Sequence, residues 1–136
     1  MNSIKFEDNT KEFNDKLKNI VINWLEEASG EIEAQTKQNS RVDTGKTKGS
    51  YTHNVDKDKF EAQIGSPSEN AIWEEFGTGI YAENGNGRKT AWTYIDAKGN
   101  FHKTRGKTPN KPLRNAMKQK GSVIQKALKD KLKELK

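Results

Sequence analysis

The 136-residue chain contains no cysteine. That excludes a disulfide framework, a thiolate zinc site and a cysteine nucleophile together. Long hydrophobic runs are also missing. The longest is Ile20-Val21-Ile22, far short of the ~20 apolar residues that a membrane-spanning helix needs. The N-terminus lacks the basic-then-apolar order of a signal peptide, so a cytosolic, non-secreted chain is expected. Apolar residues make up only 30% of the chain. Leu, Ile, Val and Phe fill 24 positions, under the roughly 20% level at which a packed interior becomes hard to build. One thin domain over residues 1–136 is expected, completed by neighbouring subunits rather than by a thick core of its own.

Charge is plentiful but unevenly placed. Residues 101–136 hold 12 Lys+Arg against 2 Asp+Glu, while the first hundred residues are mildly acidic. A basic tail on an acidic body suits nucleic acid or an acidic protein partner, and equally a lysine-rich solvated helix face. Charge pattern alone favours the solvated face.

Periodicity sets out the elements. Phe13, Leu17, Ile20, Val21, Trp24, Leu25, Ala28 and Ile32 recur at steps of three and four, which predicts a helix over residues 10–39. Asn9 with Glu12 resembles a capping box, and Gly30 marks a point for a kink. Residues 41–50 are polar and read as a loop. Tyr51, His53 and Val55 alternate, as do Phe60, Ala62 and Ile64, which predicts a hairpin. Ala71 to Phe76 reads as one helical turn or a strand. Residues 92–95 and 101–104 flank a glycine-containing turn and predict a second hairpin. Pro109 and Pro112 interrupt regular structure. Leu113 to Leu135 then carry a helical pattern that Gly121-Ser122 divides into one helix or a pair. The fold class is α+β: a long N-terminal helix, a small mostly antiparallel sheet of two hairpins, and a C-terminal helix or helix pair packing on the sheet.

Signs of catalysis are weak. Gly45-Lys46-Thr47 looks like the end of a phosphate-binding loop, but Ser40 stands where its first glycine belongs and no strand precedes it. Gly85-Asn86-Gly87 lacks the strand–helix context of a dinucleotide site. His53 and His102 fall on separate strands without further ligands at workable spacing, so no metal site is expected. No Ser/His/Asp arrangement is defensible. Glu74 and Glu75 are adjacent and point to different faces, so they do not form an acid–base pair. Trp73, Tyr81, Trp92, Tyr94 and Phe101 lie near Arg88, Lys89, Lys103 and Arg105. Such interleaving can clamp a single strand of nucleic acid; with so few aromatics, their use as sheet core and subunit contacts is the stronger expectation.

Taken in order, the blocks form a pattern. The long helix leads to Arg41-Val42-Asp43-Thr44-Gly45, then a hairpin. Ala71-Ile72-Trp73-Glu74-Glu75-Phe76-Gly77-Thr78-Gly79 follows, then a glycine- and aromatic-bearing insert. Pro109 and Pro112-Leu113 open the last helix. Over about residues 8–135 this resembles the small tail-completion or head–tail joining (neck) proteins of long-tailed bacteriophages. Two departures are visible: Leu113 follows Pro112 directly, without the family's Phe, and Asn70 precedes Ala71 in place of Tyr.

The resemblance implies structural roles for Val42, Asp43, Thr44, Gly45, Trp73, Glu75, Phe76, Gly77, Thr78, Gly79, Pro109, Pro112 and Leu113, with Phe76 anchoring its segment in the core. It implies a non-enzymatic virion protein without cofactor or metal, assembled in the host cytoplasm. Its copies would form a ring, by analogy a hexamer, at the head–tail junction between the tail tube and the connector on the portal side. No membrane contact is implied, and DNA contact is weak and non-specific if present. The insert at 80–106 is expected to be a mobile β-arm that reaches a neighbour through Trp92, Tyr94, Ile95 and Phe101. The alternative is a nucleic-acid-binding module using Lys126, Lys129, Lys133 and Lys136 on the C-terminal helix. A regulatory, antitoxin-like partner protein ranks third.

Overall fold

A computed structural model describes residues 3–42 and 45–135. Helix α1 spans Thr10–Asn39 and α4 spans Pro112–Leu132. The two lie antiparallel, as three polar ties show: Asn39 Nδ2 donates to the Pro112 carbonyl at 3.1 Å, Trp24 Nε1 to the Ile124 carbonyl at 2.6 Å, and Lys131 pairs with Glu27 at 3.3 Å. Between α1 and α4 come the single turn α2 (Lys46–Gly49), strands β1 (Thr52–Asp56) and β2 (Glu61–Gly65), helix α3 (Glu69–Phe76), a short 3-10 turn (Gly79–Tyr81), and strands β3 (Trp92–Ile95) and β4 (Phe101–Thr104).

The interior is thin and built from small side chains. Ala28, Ser29, Ile32 and Thr36 of α1 are buried, as are Ala116 of α4, Tyr51 and Ala71. Small residues let backbones approach closely, and each buried hydroxyl needs a partner. Ser29, Thr36 and Ser40 find theirs within the chain's own helix, bonding the carbonyls of Leu25, Ile32 and Thr36 at 2.6, 2.7 and 2.8 Å. These back-bonds satisfy the hydroxyls without a distant partner.

The expected kink at Gly30 does not occur; α1 runs unbroken. Packing of Ala28, Ser29 and Ile32 on one side and His53 beside Gly30 on the other outweighs the cost of about 1 kcal/mol for a mid-helix glycine. Gly121-Ser122 likewise leave α4 as one helix. The cap of α1 is shifted: Asn9 makes no side-chain bond, and Asp8 Oδ1 instead accepts from the Thr10 N–H at 3.0 Å. Residues 46–49, expected as loop, form one helical turn behind Gly45, whose φ is +83°. The open choice for Ala71 to Phe76 resolves as helix.

The α+β class stands, with two differences inside it. The hairpins form two separate two-stranded antiparallel sheets rather than one. The last helix packs along α1 rather than on a sheet. Hairpin 1 (β1–β2, with His53 opposite Ile64 and Val55 opposite Ala62) lies against α1. Hairpin 2 (β3–β4, with Tyr94 opposite His102 and Ile95 opposite Phe101) packs on itself and makes no substantial contact with any helix. Its faces explain this: apart from the Ile95/Phe101 pair at the tip, they carry Thr93, His102, Lys103 and Thr104 beside two aromatics. No continuous apolar face exists to bury on α1.

Candidate interaction surface

Helix α3 is turned inside out. Its two acids face inward, with Glu74 3% and Glu75 8% exposed, while Ile72, Trp73 and Phe76 face solvent at 58%, 47% and 46%. The reason is a set of cations and N–H donors brought in from three distant segments. Arg41, just after α1, donates to Glu74 Oε2 at 3.2 Å and to the Thr108 carbonyl at 2.7 Å. Lys107 pairs with Glu74 Oε1. Asn110 ties both ends: its side chain donates to the Asn39 carbonyl at 2.9 Å and its backbone N–H to the Glu74 carbonyl at 2.8 Å.

Glu75 serves the next helix. Its Oε1 accepts the Leu113 backbone N–H at 2.8 Å, and its Oε2 accepts from Arg114 at 3.1 Å. The N-terminus of α4 leaves backbone N–H groups unpaired and carries a partial positive charge. A carboxylate from another helix therefore does the work of a local cap, which Lys111, in the left-handed region at φ 56°, does not supply. Arg114 goes on to grip Glu83 with two bonds of 2.8 Å and lies over the Phe76 ring, 5.1 Å from its centre.

Electrostatics follow from this packing. Burial alone would push the Glu74 carboxyl up, but the Lys107 hydrogen bond and charge, joined by Arg41, outweigh it and hold the pKa below 4.5. Arg114 bonds hold Glu83 down too, and the Glu83 and Glu75 carboxylates raise the Arg114 guanidinium further. Burial pushes the nearby Tyr51 phenol up, against a hydrogen bond from Ser40 and helped by the Glu75 and Glu74 charges. Each carboxyl of the cluster is matched by a cation or an N–H donor, an arrangement that locks segments together.

The root of hairpin 2 is a tight backbone crossing. Thr78 N–H bonds the Lys107 carbonyl at 2.9 Å, and Ile80 N–H bonds the Arg105 carbonyl at 3.0 Å. Gly79 has φ +62°, and a Cβ there would collide with the Arg105 carbonyl; one at Gly106 would collide with the Thr78 carbonyl. Only glycine fits at these two positions. Beyond the root, Arg88 lies 5.5 Å from the centre of the Trp92 ring, and Tyr94 stacks on His102 at 5.3 Å. Asp96 closes the turn, accepting from the Lys98 and Asn100 N–H groups at 2.9 Å and bonding His102 Nε2 at 2.7 Å. The His102 bond, with the backbone donors, lowers the Asp96 pKa to about 2. At the tip Ile95 and Phe101 are paired across the strands and 59% and 74% exposed.

The sequence-chosen residues fall as follows. Val42 is exposed, and Asp43 and Thr44 lie outside the described residues. Gly77 ends α3, its N–H bonding the Trp73 carbonyl at 2.8 Å. Pro109 lies against Gly77, and Pro112 is buried at the start of α4 beside Leu113. Phe76 is not a core anchor: α3 turns it outward because Glu74 and Glu75 take the inner face. The same rotation exposes Trp73, and Tyr81, Tyr94 and Phe101 are also half-exposed or more, so the aromatics do not form a sheet core. Glu74, Arg41, Lys107, Asn110 and Arg114 were missed. The available signal was two adjacent acids inside an apolar-aromatic segment, followed some 30 positions later by a basic, proline-marked stretch.

Other surfaces offer little chemistry. A depression of about 610 Å³ runs along hairpin 1, lined by Thr52, Asn54 and Gln63 among others, with His53 as its only ionisable group. His53 reaches Glu33 at 3.4 Å and Glu26 at 3.8 Å, without a hydrogen bond from its Nδ1. Among the described residues no three His, Asp or Glu stand together as metal ligands. Among the same residues no helix is long and apolar enough to cross a membrane.

A two-helix spine, two separate hairpins, an ion-locked inner helix and an outward aromatic face define a small α+β scaffold. The chain belongs to the HK97-gp10-like family: residues 4–85 match the family described as "Bacteriophage HK97-gp10, putative tail-component". It is therefore a structural component of a bacteriophage tail, and the match runs from α1 through α3 and stops before hairpin 2. No curated protein and no solved structure matches the chain.

Proposed function

We propose that the protein is a non-enzymatic tail-completion or head–tail joining subunit, whose copies form a ring at the neck between the tail tube and the portal-side connector. One observation carries this reading. The large apolar side chains that the thin interior lacks are on the surface, among them Ile72, Trp73 and Phe76 on α3, Ile80 and Tyr81 on the following 3-10 turn, and Ile95 and Phe101 at the tip of hairpin 2. Exposed patches of several hundred Å² mark contact sites on soluble proteins. Hairpin 2, standing clear of the helices, acts as the arm that reaches the neighbour. A heterologous, head-to-tail contact closes into a ring when its rotation permits, and the acidic body and basic C-terminal region favour that polarity. The test is sedimentation of the full chain over a range of concentrations, alone and with the tail-tube and portal-side proteins. Concentration-dependent rings support the reading; a monomer at every concentration and with every mate removes it.

A second reading rests on α4. Lys118, Lys126, Lys129 and Lys133 are exposed on the side away from α1, with Ser122 and Gln125 between them; Lys136 lies outside the described residues. A phosphate backbone fits such a stripe. Steep salt-dependent binding of duplex DNA by a monomer, lost in K126Q/K129Q/K133Q, would favour this reading over the ring.

A further inference from the structure

We infer that the outward face of α3 is the socket for the tip of hairpin 2 of another copy, with Ile95 and Phe101 of one subunit seated among Ile72, Trp73, Phe76 and Tyr81 of the next. This rests on the ring reading and names its contact. Helix α3 cannot hide its apolar side by rolling inward, because Glu74 and Glu75 are held by Arg41, Lys107, Asn110, Leu113 N–H and Arg114. Ile72, Trp73, Phe76, Ile80 and Tyr81 therefore stay outside, each between 43% and 58% exposed. Half-exposed side chains of this size leave about 100 Å² each, together about 500 Å². That is a patch at the upper end of what a lone soluble protein leaves uncovered.

The occupant is chosen by complementarity on the same chain. Hairpin 2 supplies the matching knob: the Ile95/Phe101 pair stands at its end, held in place by the Asp96-bonded turn. Within one subunit it does not pack on α3, so the two surfaces meet only between copies. Charge sets the same pairing. Lys98, Lys103 and Arg105 on the hairpin have no carboxylate partner, and Glu69 at the start of α3 has no cation partner, among the described residues. Among the other exposed apolar groups, the pair of Phe13 and half-buried Leu17 on the first turns of α1 is flanked by Lys11, Lys16 and Lys18 as well as by Glu12 and Asp15. It offers a basic arm no net attraction. Aromatic sockets with a Trp and a Tyr at their centre are the usual sites of strong contact energy.

The absence of cysteine makes the test clean. Ile72→Cys and Phe101→Cys are introduced on separate full-length chains, mixed, and treated with a short bis-maleimide; both positions are exposed, so folding is checked only by the unchanged circular dichroism. The expected result is a covalent heterodimer, with Phe13→Cys plus Phe101→Cys giving at least tenfold less. In addition, Phe101→Asp and Trp73→Asp should each weaken self-association at least tenfold alone. Mixed together they should pair, because each leaves one intact half of the contact. If rings form but the Phe13→Cys pair crosslinks in preference, or neither Asp variant weakens assembly, the socket is overturned while the ring stands. If wild-type chains never associate, the ring reading falls and the socket with it.

Discussion

The two hairpins are both antiparallel, have strands of nearly equal length and close on an Asp-bonded turn; they differ in what supports them. Hairpin 1 rests on α1, with His53 beside Gly30 and its cross-strand pairs shielded on one side. Hairpin 2 has nothing beneath it. Its order comes from within: the Asp96 turn, the Tyr94–His102 stack and the cation over Trp92. Its root is fixed by the backbone crossing at Gly79 and Gly106 and by the carboxylate lock behind α3. A strand pair on a helix is part of a core; a strand pair that hangs from a locked root is an appendage whose apolar tip stays exposed.

That contrast can be broken at its root with the largest effect. Removing both cations from Glu74, as R41A/K107A, leaves a buried carboxylate unpaired and should destabilise the fold by about 3–5 kcal/mol, read as a lower urea midpoint. The same carboxylate gives the contrast a pH signature. Its folded pKa is depressed below 4.5, so its contribution is complete above that value and is lost as pH falls through the folded pKa. The wild type should lose stability below about pH 4.5 on the usual glutamate scale, and Glu74→Gln should flatten that acid limb. A matched pair of truncations sharpens the comparison. Ile64→Ala in hairpin 1 should cost about 1–3 kcal/mol, whereas Phe101→Ala in hairpin 2 should change stability by less than about 0.5 kcal/mol while weakening assembly. Equal costs in thermal melts would mean the hairpins are equivalent. Gly121→Ala works in the opposite direction and touches neither hairpin: open space surrounds that position, so α4 should gain about 0.5–1 kcal/mol in thermal melts, with no change in assembly.

Much of the fold was legible because it depends on short-range pattern. The stripe from Phe13 to Ile32 set both ends of α1, and alternation around Asp56-Lys57-Asp58 and Lys98-Gly99 located both hairpins. What was hidden depends on partners far along the chain. Sequence alone puts Glu74 and Glu75 on different faces, and nothing near them in sequence neutralises them; the fold turns both inward. Their cations stand at 41, 107 and 114, and only the fold brings these together. The orientation of α3 follows from that, so the exposure of Phe76 and Trp73 was hidden for the same reason. The glycines at 30 and 121 illustrate the opposite error: local propensity marks interruptions, and both helices run through them. The family match ends at residue 85, so hairpin 2 and α4 have to be understood from their own chemistry.

One consequence of the inverted helix concerns what a newly made chain can become. Were α3 free to rotate about its axis, Trp73 and Phe76 could turn inward and leave a wholly polar exterior there. The ionic clamp forbids that retreat. It keeps each freshly folded copy greasy on one side from the moment of folding, and the proposed contact depends on that face.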